Sequence, residues 1–293
     1  MKPFTIGEYE VSSIIEREGP IRTPKVMFPT ADPRRAEELL REGPTNVWSP
    51  TSGILFNTYQ TFVIRSAKRT VLIDTCVGEN KARPPHFNYP KQPWLDGFDR
   101  QGLRFEQVDV VVNTHLHVDH CGWNTRLVNG RWMPTFPKAR YCMSDVEFGY
   151  WRDQTAQGWE LPGRIWTDSA LPLVESGHAH LVTMDARVDD DLSLIPTPGH
   201  TPGHVCVRLR SGGLEAIFIG DVMHHPIQCA EPGWSSCFCV DPSALLRRRR
   251  RHLDHHRPRA FPLSHRGSDP RSRQGLSVGI SRLTIRRQPP RAA

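Results

Sequence analysis

Residues 114–120, Thr-His-Leu-His-Val-Asp-His, are the stretch of this sequence that decides its fold and its chemistry. They follow an apolar run at 108–113, which is typical of a strand covered on both faces. Because alternate residues of an extended segment face one way, His115 and His117 can hold one metal ion. The turn that follows can aim Asp119 and His120 elsewhere. The spacing therefore predicts two metal ions at the end of a buried strand.

Two later segments supply further candidate ligands, and each follows a predicted strand. The turn PGHTPGH at 198–204 carries His200, and Gly220-Asp221 puts a carboxylate at a strand end. Because a carboxylate can bridge two cations and offset part of their charge, Asp221 suits the place between the ions. A last histidine is expected from the C-terminal region, where His265 is the candidate. Each motif is weak alone, but together and in this order they indicate a metal site.

Short strands around a loop-rich middle are predicted for the remainder of the chain. The predicted strands are 53–65, 69–74, 108–113, 139–143, 192–196, 205–209 and 216–220. A helix is predicted over 144–151, with Ser144 as its N-cap. Two segments rich in Pro, Gly and Trp, 79–102 and 149–177, are predicted to be irregular. Such insertions serve as lids or substrate-binding walls, or are merely decorative.

The ordered series H-x-H-x-D-H, G-H-T-P-G-H and strand-Gly-Asp resembles the motif series of the metallo-β-lactamase superfamily. The resemblance covers residues from about 50 to 240, and TVLIDT at 70–75 is similar to the strand that carries the family's early aspartate, here Asp74. It implies an α/β (α+β) fold, the four-layer αββα sandwich. In that fold two mixed β-sheets pack face to face, helices cover the outside and the metals lie at one sheet edge.

The resemblance also implies a role for each candidate residue. The implied ligands are His115, His117 and His200 for the first metal, Asp119, His120 and His265 for the second, and Asp221 as the bridge. Four further residues are expected beside the ligands: Asp74, His204, His224 and His225. His204 is expected to orient a ligand through its other ring nitrogen. His224 and His225 could meet substrate, although a place behind the ligands or at the surface is favoured.

Charge divides the chain into two predicted parts. Residues 242–293 contain fourteen arginines against Asp254 and Asp269, a balance of +12, and the remainder balances at −5. A hydrolase domain is therefore predicted over 1–241, followed by an arginine-rich tail that contributes His265 if it is authentic. The tail is expected to be disordered, or to result from a shifted reading frame, because it has few apolar residues. The acidic body disfavours a nucleic-acid-binding surface over the fold.

Cysteine usage and the N-terminal composition bear on the compartment. Seven cysteines form no CxxC pair, which predicts reduced thiols. No secretory signal and no run of about 18 apolar residues is visible, so a cytoplasmic protein without a membrane partner is expected. Nucleic acid is expected as a partner only through the basic tail, and the oligomeric state is left open.

Imidazole and carboxylate ligands without thiolate favour two Zn²⁺ ions, with Mn²⁺, Fe²⁺ or Co²⁺ as alternatives. A hydroxide bridging two such metals is a nucleophile at neutral pH. Asp119 is the predicted catalytic residue, since it can orient that hydroxide and pass a proton to the leaving group. The leading hypothesis is lactonase-like hydrolysis of a small carboxylic ester or lactone. Aromatic residues of the loops could wall an apolar substrate: Phe87, Tyr89, Trp94, Phe98, Trp123, Trp132, Trp151, Trp159 and Trp166.

Other functions remain open at this point. A phosphoester or phosphotriester hydrolase, or a nuclease, of the same superfamily would use the same ions. A nucleic-acid-binding protein acting through the basic tail is an alternative of another class. A redox di-iron protein is disfavoured, because a histidine, His117, stands where it would carry a carboxylate and no flavin domain is evident. Hydrolysis of β-lactam drugs ranks low, because no signal peptide for periplasmic export is visible.

Overall fold

The computed structural model describes residues 2–44, 46–158, 164–255 and 283–287. The strands are β1 (Phe4–Ile6), β2 (Tyr9–Arg22), β3 (Trp48–Ser49), β4 (Ile54–Arg65), β5 (Thr70–Ile73), β6 (Val110–Val112), β7 (Thr125–Val128), β8 (Arg131–Pro134), β9 (Arg140–Ser144), β10 (Ala179–Val182), β11 (Leu192–Pro196), β12 (Val205–Ser211), β13 (Leu214–Phe218) and β14 (Leu283–Arg287). The α-helices are α1 (Pro24–Met27), α2 (Pro33–Glu42), α3 (Gln92–Arg100), α4 (Asp145–Ala156), α5 (Leu171–Glu175), α6 (Ile227–Ala230) and α7 (Pro242–His255). Within these ranges, no helix has the length and apolar character needed to cross a membrane.

Two sheets form the centre of the molecule. The larger has the order β1-β2-β4-β5-β6-β9-β10, with β3 beside β4, and it is mixed because β5, β6, β9 and β10 run parallel. The smaller has the order β11-β12-β13-β14 and is antiparallel over its described strands, where the resemblance implied a mixed sheet. A separate hairpin joins β7 and β8. The mixed α/β class and its sheet sandwich are confirmed.

The faces of the sheets explain the apolar runs. Val110 and Val112 of β6 belong to the core between the two sheets, where Phe62 and Phe218 meet edge to face with ring centroids 4.9 Å apart. Val111 points the other way, into the core beneath the helices. A strand covered on both faces needs apolar side chains at every position. The continuous run that precedes the histidines is therefore a consequence of its central place.

Both segments predicted to be irregular contain helices. Residues 79–102 include α3, and 149–177 include a π-helical turn, Trp166–Ala170, followed by α5. In α3, Trp94 and Phe98 are four residues apart, fully buried and stacked at 5.2 Å. This tertiary burial outweighs the glycine and proline content that favoured a loop. Those two predictions were wrong. The predicted helix is α4, and Ser144 caps it by accepting a hydrogen bond from Glu147.

The arginine-rich part begins as an ordered helix, so the expectation of disorder is wrong for residues 242–255. Leu245 and Arg249 of α7 are buried, and the Arg249 guanidinium donates to the carbonyls of Val222 (2.7 Å), Trp234 (2.9 Å) and Pro232 (3.1 Å). Residues 283–287 form β14 on the edge of the smaller sheet. Main-chain carbonyls thus accept hydrogen bonds from a buried guanidinium of the arginine-rich part. His265 lies outside the described residues.

Candidate metal centre

The histidine motif occupies the loop directly after β6. Asn113 fixes this loop at both ends. Its side-chain amide donates to the carbonyl of His120 at 2.9 Å, and its backbone N–H donates to the carbonyl of Cys142. The loop therefore folds back on itself over seven residues, and its histidines point inward instead of continuing the strand. His115 and His120 are almost completely buried.

Four side chains converge on one point, and together they are named the first ligand group: His115, His117, His200 and Asp221. One ligand atom of each lies within 4.8 Å of the others. His117 Nδ1 is 3.1 Å from His115 Nε2 and 2.8 Å from His200 Nε2, and Asp221 Oδ2 is 3.3 Å from His200 Nε2. The structure thus brings together residues from three separate segments of the chain.

The protonation of these rings suits metal binding. Burial lowers the pKa of His117 to about 4, and burial together with the neighbouring histidines lowers the pKa values of His115 and His200 well below the usual range. Neutral imidazole is the form that binds a metal, because the ligating nitrogen must hold a free electron pair. Three such nitrogens facing each other beside a carboxylate fit a divalent cation.

A second ligand group, formed by Asp119, His120 and the other oxygen of Asp221, lies beside the first. His120 Nε2 is 3.6 Å from Asp119 Oδ2 and 3.4 Å from Asp221 Oδ1. The two oxygens of Asp221 therefore face different groups, as a bridging carboxylate requires. His265 is not among the described residues, so the third protein ligand implied for this group has no described position.

Asp74 lies behind the second ligand group. Its carboxylate accepts from the backbone N–H of Thr114 at 2.8 Å and is 2.8 Å from Nδ1 of His120. This contact orients the His120 ring so that Nε2 faces Asp221. Asp74 has a φ of +56°, a left-handed conformation that aspartate tolerates better than most residues.

His204 holds the main chain of the bridging aspartate. Its Nδ1 is 2.8 Å from the Thr197 hydroxyl, and its Nε2 accepts from the backbone N–H of Asp221 at 3.0 Å. Both ring nitrogens are thus engaged away from the ligand atoms. This placement agrees with a histidine that positions a ligand.

The two histidines after Asp221 have different surroundings. His224 Nε2 is 3.1 Å from Asp221 Oδ2, and the ring lines the cavity described below. His225 is turned away, with Nε2 2.9 Å from the carbonyl of Val47, and burial lowers its pKa to about 4. Neither lies at the surface, since both are buried. His224 therefore belongs to the site, whereas His225 fixes a neighbouring loop.

A cavity of about 420 Å³ opens on both ligand groups. His117, Asp119, Asp221 and His224 form its polar side. The remaining wall is mainly apolar or aromatic and includes Met27, Tyr59, Phe87, Tyr150, Trp151, Phe238 and Val240, together with Arg22 and His86. Of the aromatic residues predicted to wall a substrate, Phe87 and Trp151 line this cavity, whereas Trp94, Phe98 and Trp123 are core residues. Trp159 lies outside the described residues.

Two parts of the site were not predicted from the sequence, the N-terminal wall of the cavity and the carboxylate of Glu147. Arg22 and Met27 come from the N-terminal part of the chain, which no motif marked. Glu147 was also missed, because Ser144-x-x-Glu147 has the pattern of a helix capping box, in which a glutamate bonds the backbone of the cap residue. Its carboxylate instead accepts from the backbone N–H of Leu116, between two ligands.

A family comparison agrees with the metal-binding geometry of the site. The family model described as the metallo-β-lactamase superfamily matches residues 56–243, more than half of the chain. The chain belongs to the metallo-β-lactamase superfamily. The match spans β4 to the start of α7 and so includes every described ligand candidate. The resemblance based on the motifs is confirmed.

Among curated proteins, the chain is 28% identical to metallo-hydrolase mfmC from Annulohypoxylon moriforme over 144 residues. That match covers 43% of this chain and only about a third of mfmC, 33%.

Solved superfamily structures share the fold over most of the chain. The hydrolase AbOPH is 21% identical with a TM-score of 0.70, covering 86% of this chain and 84% of AbOPH. A probable metal-dependent hydrolase from Staphylococcus aureus is 15% identical with a TM-score of 0.71, covering 86% of both chains. The dizinc quorum-quenching lactonase AidC is 16% identical with a TM-score of 0.67, covering 87% of this chain and 85% of AidC. At these identities the likeness shows the fold alone.

Proposed function

We propose that this superfamily member is a dizinc hydrolase that cleaves the ester-like bond of a small molecule, a carboxylic ester or a lactone. The observation that carries the proposal is the cavity of about 420 Å³ whose polar side is formed by His117, Asp119 and Asp221. A volume of this order suits a small ligand, and a mainly apolar wall with few polar groups is typical of such sites.

The donor set favours zinc, since imidazole nitrogens and carboxylate oxygens without thiolate are common zinc ligands. When bound at such a site, divalent ions lower the pKa of water and polarise the oxygen of the scissile bond. The assignment of each ligand, including His265, is part of this proposal. A cytoplasmic location also stays an expectation.

Asp119 is the proposed acid and base of the reaction. Its side chain is partly exposed, 17%, whereas that of His120 beside it is fully buried. The carboxylate thus belongs to the second ligand group and also faces the cavity. It can hold a proton taken from the attacking water and deliver it to the leaving oxygen.

Apolar walls favour an uncharged reacting bond. They suit the acyl part of an ester or lactone, and AidC, whose fold is similar, is a lactonase. A phosphotriester is the second candidate, because it is also uncharged and would fit the same walls. A nuclease is less favoured, since Arg22 is the single arginine or lysine that lines this cavity among the described residues. Nucleic-acid binding through the tail stays a prediction.

Arg22 gives the mainly apolar wall of the cavity one positive charge. Its guanidinium carbon lies 4.8 Å from the centre of the Phe238 ring, and no carboxylate is in ion-pair contact with it in the described part of the chain. His86 lines the same cavity. A substrate with a carboxylate or another anionic group remote from the scissile bond would therefore gain a partner at Arg22.

A substrate panel on zinc-loaded protein tests the proposal. The panel contains acyl-homoserine lactones, simple γ- and δ-lactones, aryl esters, aryl phosphotriesters and a β-lactam, with the Asp119→Ala variant as control. Zinc-dependent turnover of a lactone or carboxylic ester that is lost in the variant is expected. Turnover of phosphotriesters alone would show that the substrate is a phosphotriester and not a carboxylic ester or lactone. If zinc-loaded protein cleaves none of the compounds, the proposal of a hydrolase is refuted.

A further inference from the structure

Glu147 occupies the space between the two loops that carry the first ligand group. It lies in the first turn of α4 and is 1% exposed. Its carboxylate accepts from the backbone N–H of Leu116 at 2.9 Å and from the backbone N–H of Gly203 at 3.0 Å. The indole N–H of Trp151 donates to the same carboxylate at 2.6 Å. One side chain therefore joins three parts of the site.

The two backbone partners of Glu147 lie close to the histidine ligands in the chain. Leu116 stands between His115 and His117, and Gly203 stands three residues after His200. The first loop follows a strand of the larger sheet, and the second connects two strands of the smaller sheet. Among the described residues, Glu147 thus accepts its backbone hydrogen bonds from residues next to or near the three histidines of the first ligand group.

Close packing reinforces this connection. A Cβ atom added at Gly203 would come within 2.1 Å of the backbone nitrogen of Glu147 and 2.5 Å of its Cα. The second loop therefore lies against the helix backbone itself, and only glycine permits the approach. One turn further along, the helix places the Trp151 ring 5.7 Å from the ring of His117.

We propose that Glu147 is a positioning residue that fixes the distance between His117 and His200 and thereby sets the metal affinity of the first ligand group. A buried carboxylate with three N–H donors holds them more strongly and more directionally than a neutral acceptor. Burial raises the pKa of Glu147, whereas these donors favour its ionised form. The inference rests on the metal site of the proposed function, but not on its substrate.

The test measures zinc affinity, so it does not depend on turnover. In Glu147→Gln the volume is kept, but the amide nitrogen cannot accept, so one donor loses its partner. Stripped protein is titrated with Zn²⁺ in competition with a chromophoric chelator, and Co²⁺ absorption reports on the geometry of the ligand set. The tighter site is expected to weaken by about tenfold or more, with a changed Co²⁺ spectrum.

Glu16 provides a matched control. It is 3% exposed, and its carboxylate accepts from two backbone N–H groups, those of Val77 and Gly78, from the indole of Trp123 at 2.7 Å and from the Tyr89 hydroxyl at 2.8 Å. Its backbone partners lie outside both loops of the first ligand group. Glu16→Gln should therefore destabilise the fold to a similar degree while leaving zinc affinity within about threefold, as a second-site change without contact to the ligands does.

The outcomes separate the inference from the proposed function. Unchanged zinc affinity in Glu147→Gln, or an equal loss in Glu16→Gln, would overturn the positioning role. If Glu147→Gln does not fold, the same zinc titration is made on Glu147→Asp. This variant keeps the negative charge, but its shorter side chain moves the carboxylate away from both loops. Wild-type protein that binds zinc yet cleaves nothing on the panel would refute the proposed hydrolase and leave this inference standing. Failure of the wild type to bind zinc would refute both.

Discussion

Nε2 of His200 lies 2.8 Å from Nδ1 of His117, although 83 positions separate the two residues in the chain. Each comes from a loop on a different sheet, so the first ligand group exists only when the sandwich is closed. Burial keeps both rings neutral, because it lowers their pKa values. A cation that binds all of these nitrogens therefore joins the two sheets as well as filling a site.

Metal binding should stabilise the fold. Because the ligand groups do not form in an unfolded chain, the free energy of binding adds to that of folding. We expect metal analysis to find close to two ions per chain if the C-terminal part supplies His265, and nearer one if it does not. Chelation should lower the melting temperature, and zinc should restore it. An equal melting temperature with and without the chelator would contradict a metal site built across the two sheets.

Replacement of Asp119 should separate chemistry from folding. Asp119→Ala and Asp119→Asn should each lower kcat by about a hundredfold or more, the range found for loss of an acid or base. The side chain is partly exposed at the cavity, so the melting temperature of the metal-free protein should change little. Steady-state kinetics and thermal denaturation are the measurements. Wild-type kcat in Asp119→Asn would exclude a proton-transfer role.

Substitution of Arg22 should alter selectivity more than rate. Arg22→Gln is expected to raise KM for 4-nitrophenyl hydrogen glutarate by about tenfold, since a charged hydrogen bond contributes on the order of 1.5 kcal/mol. KM for 4-nitrophenyl valerate, an ester of similar length without the carboxylate, should stay within twofold of the wild-type value. Arg22→Lys is the control that keeps the charge. Equal changes for both esters would show that Arg22 merely shapes the wall.

Buried His225 should make stability depend on pH. Burial lowers its pKa from 6.5 to about 4, so the unfolded chain binds a proton that the folded chain excludes in this interval. The contribution of His225 is present above pH 6.5 and is lost as pH falls towards 4. Urea denaturation of wild type and His225→Gln between pH 4 and 7 measures the effect. The variant should show a shallower slope, and parallel curves would contradict the assignment.

Arg249 should be a stabilising residue despite its place in an arginine run. Removal of its side chain leaves the carbonyls of Val222 and Pro232 without this donor, whereas that of Trp234 keeps the Gln228 amide, at a cost of about 3 kcal/mol. Arg247→Ala is the matched control, since Arg247 is an exposed residue of the same helix. Denaturant unfolding of both variants measures the difference. Equal stability of the two variants would mean that α7 contributes little to the fold.

Local patterns in the sequence were enough to identify the residues of the first ligand group. The apolar run before His115 is typical of a strand covered on both faces, and the glycine and proline turn around His200 marks a strand end. Both are short-range consequences of burial and backbone geometry, so these patterns indicated the strands before the ligands, whereas the fold class was implied by the resemblance. The order of the motifs then gave the superfamily.

Tertiary packing decided what those patterns could not. Stacking of Trp94 on Phe98 stabilises a helix in a segment rich in glycine and proline, and carbonyls of two segments, one at Val222 and one at Pro232 and Trp234, accept from the buried Arg249. The carboxylate of Glu147 looks like a helix cap in sequence, yet it connects two ligand loops because α4 packs between them. Such roles depend on which surfaces meet across long stretches of chain. Periodicity and turn chemistry act over a few residues, so they cannot predict contacts between residues that are far apart in the chain.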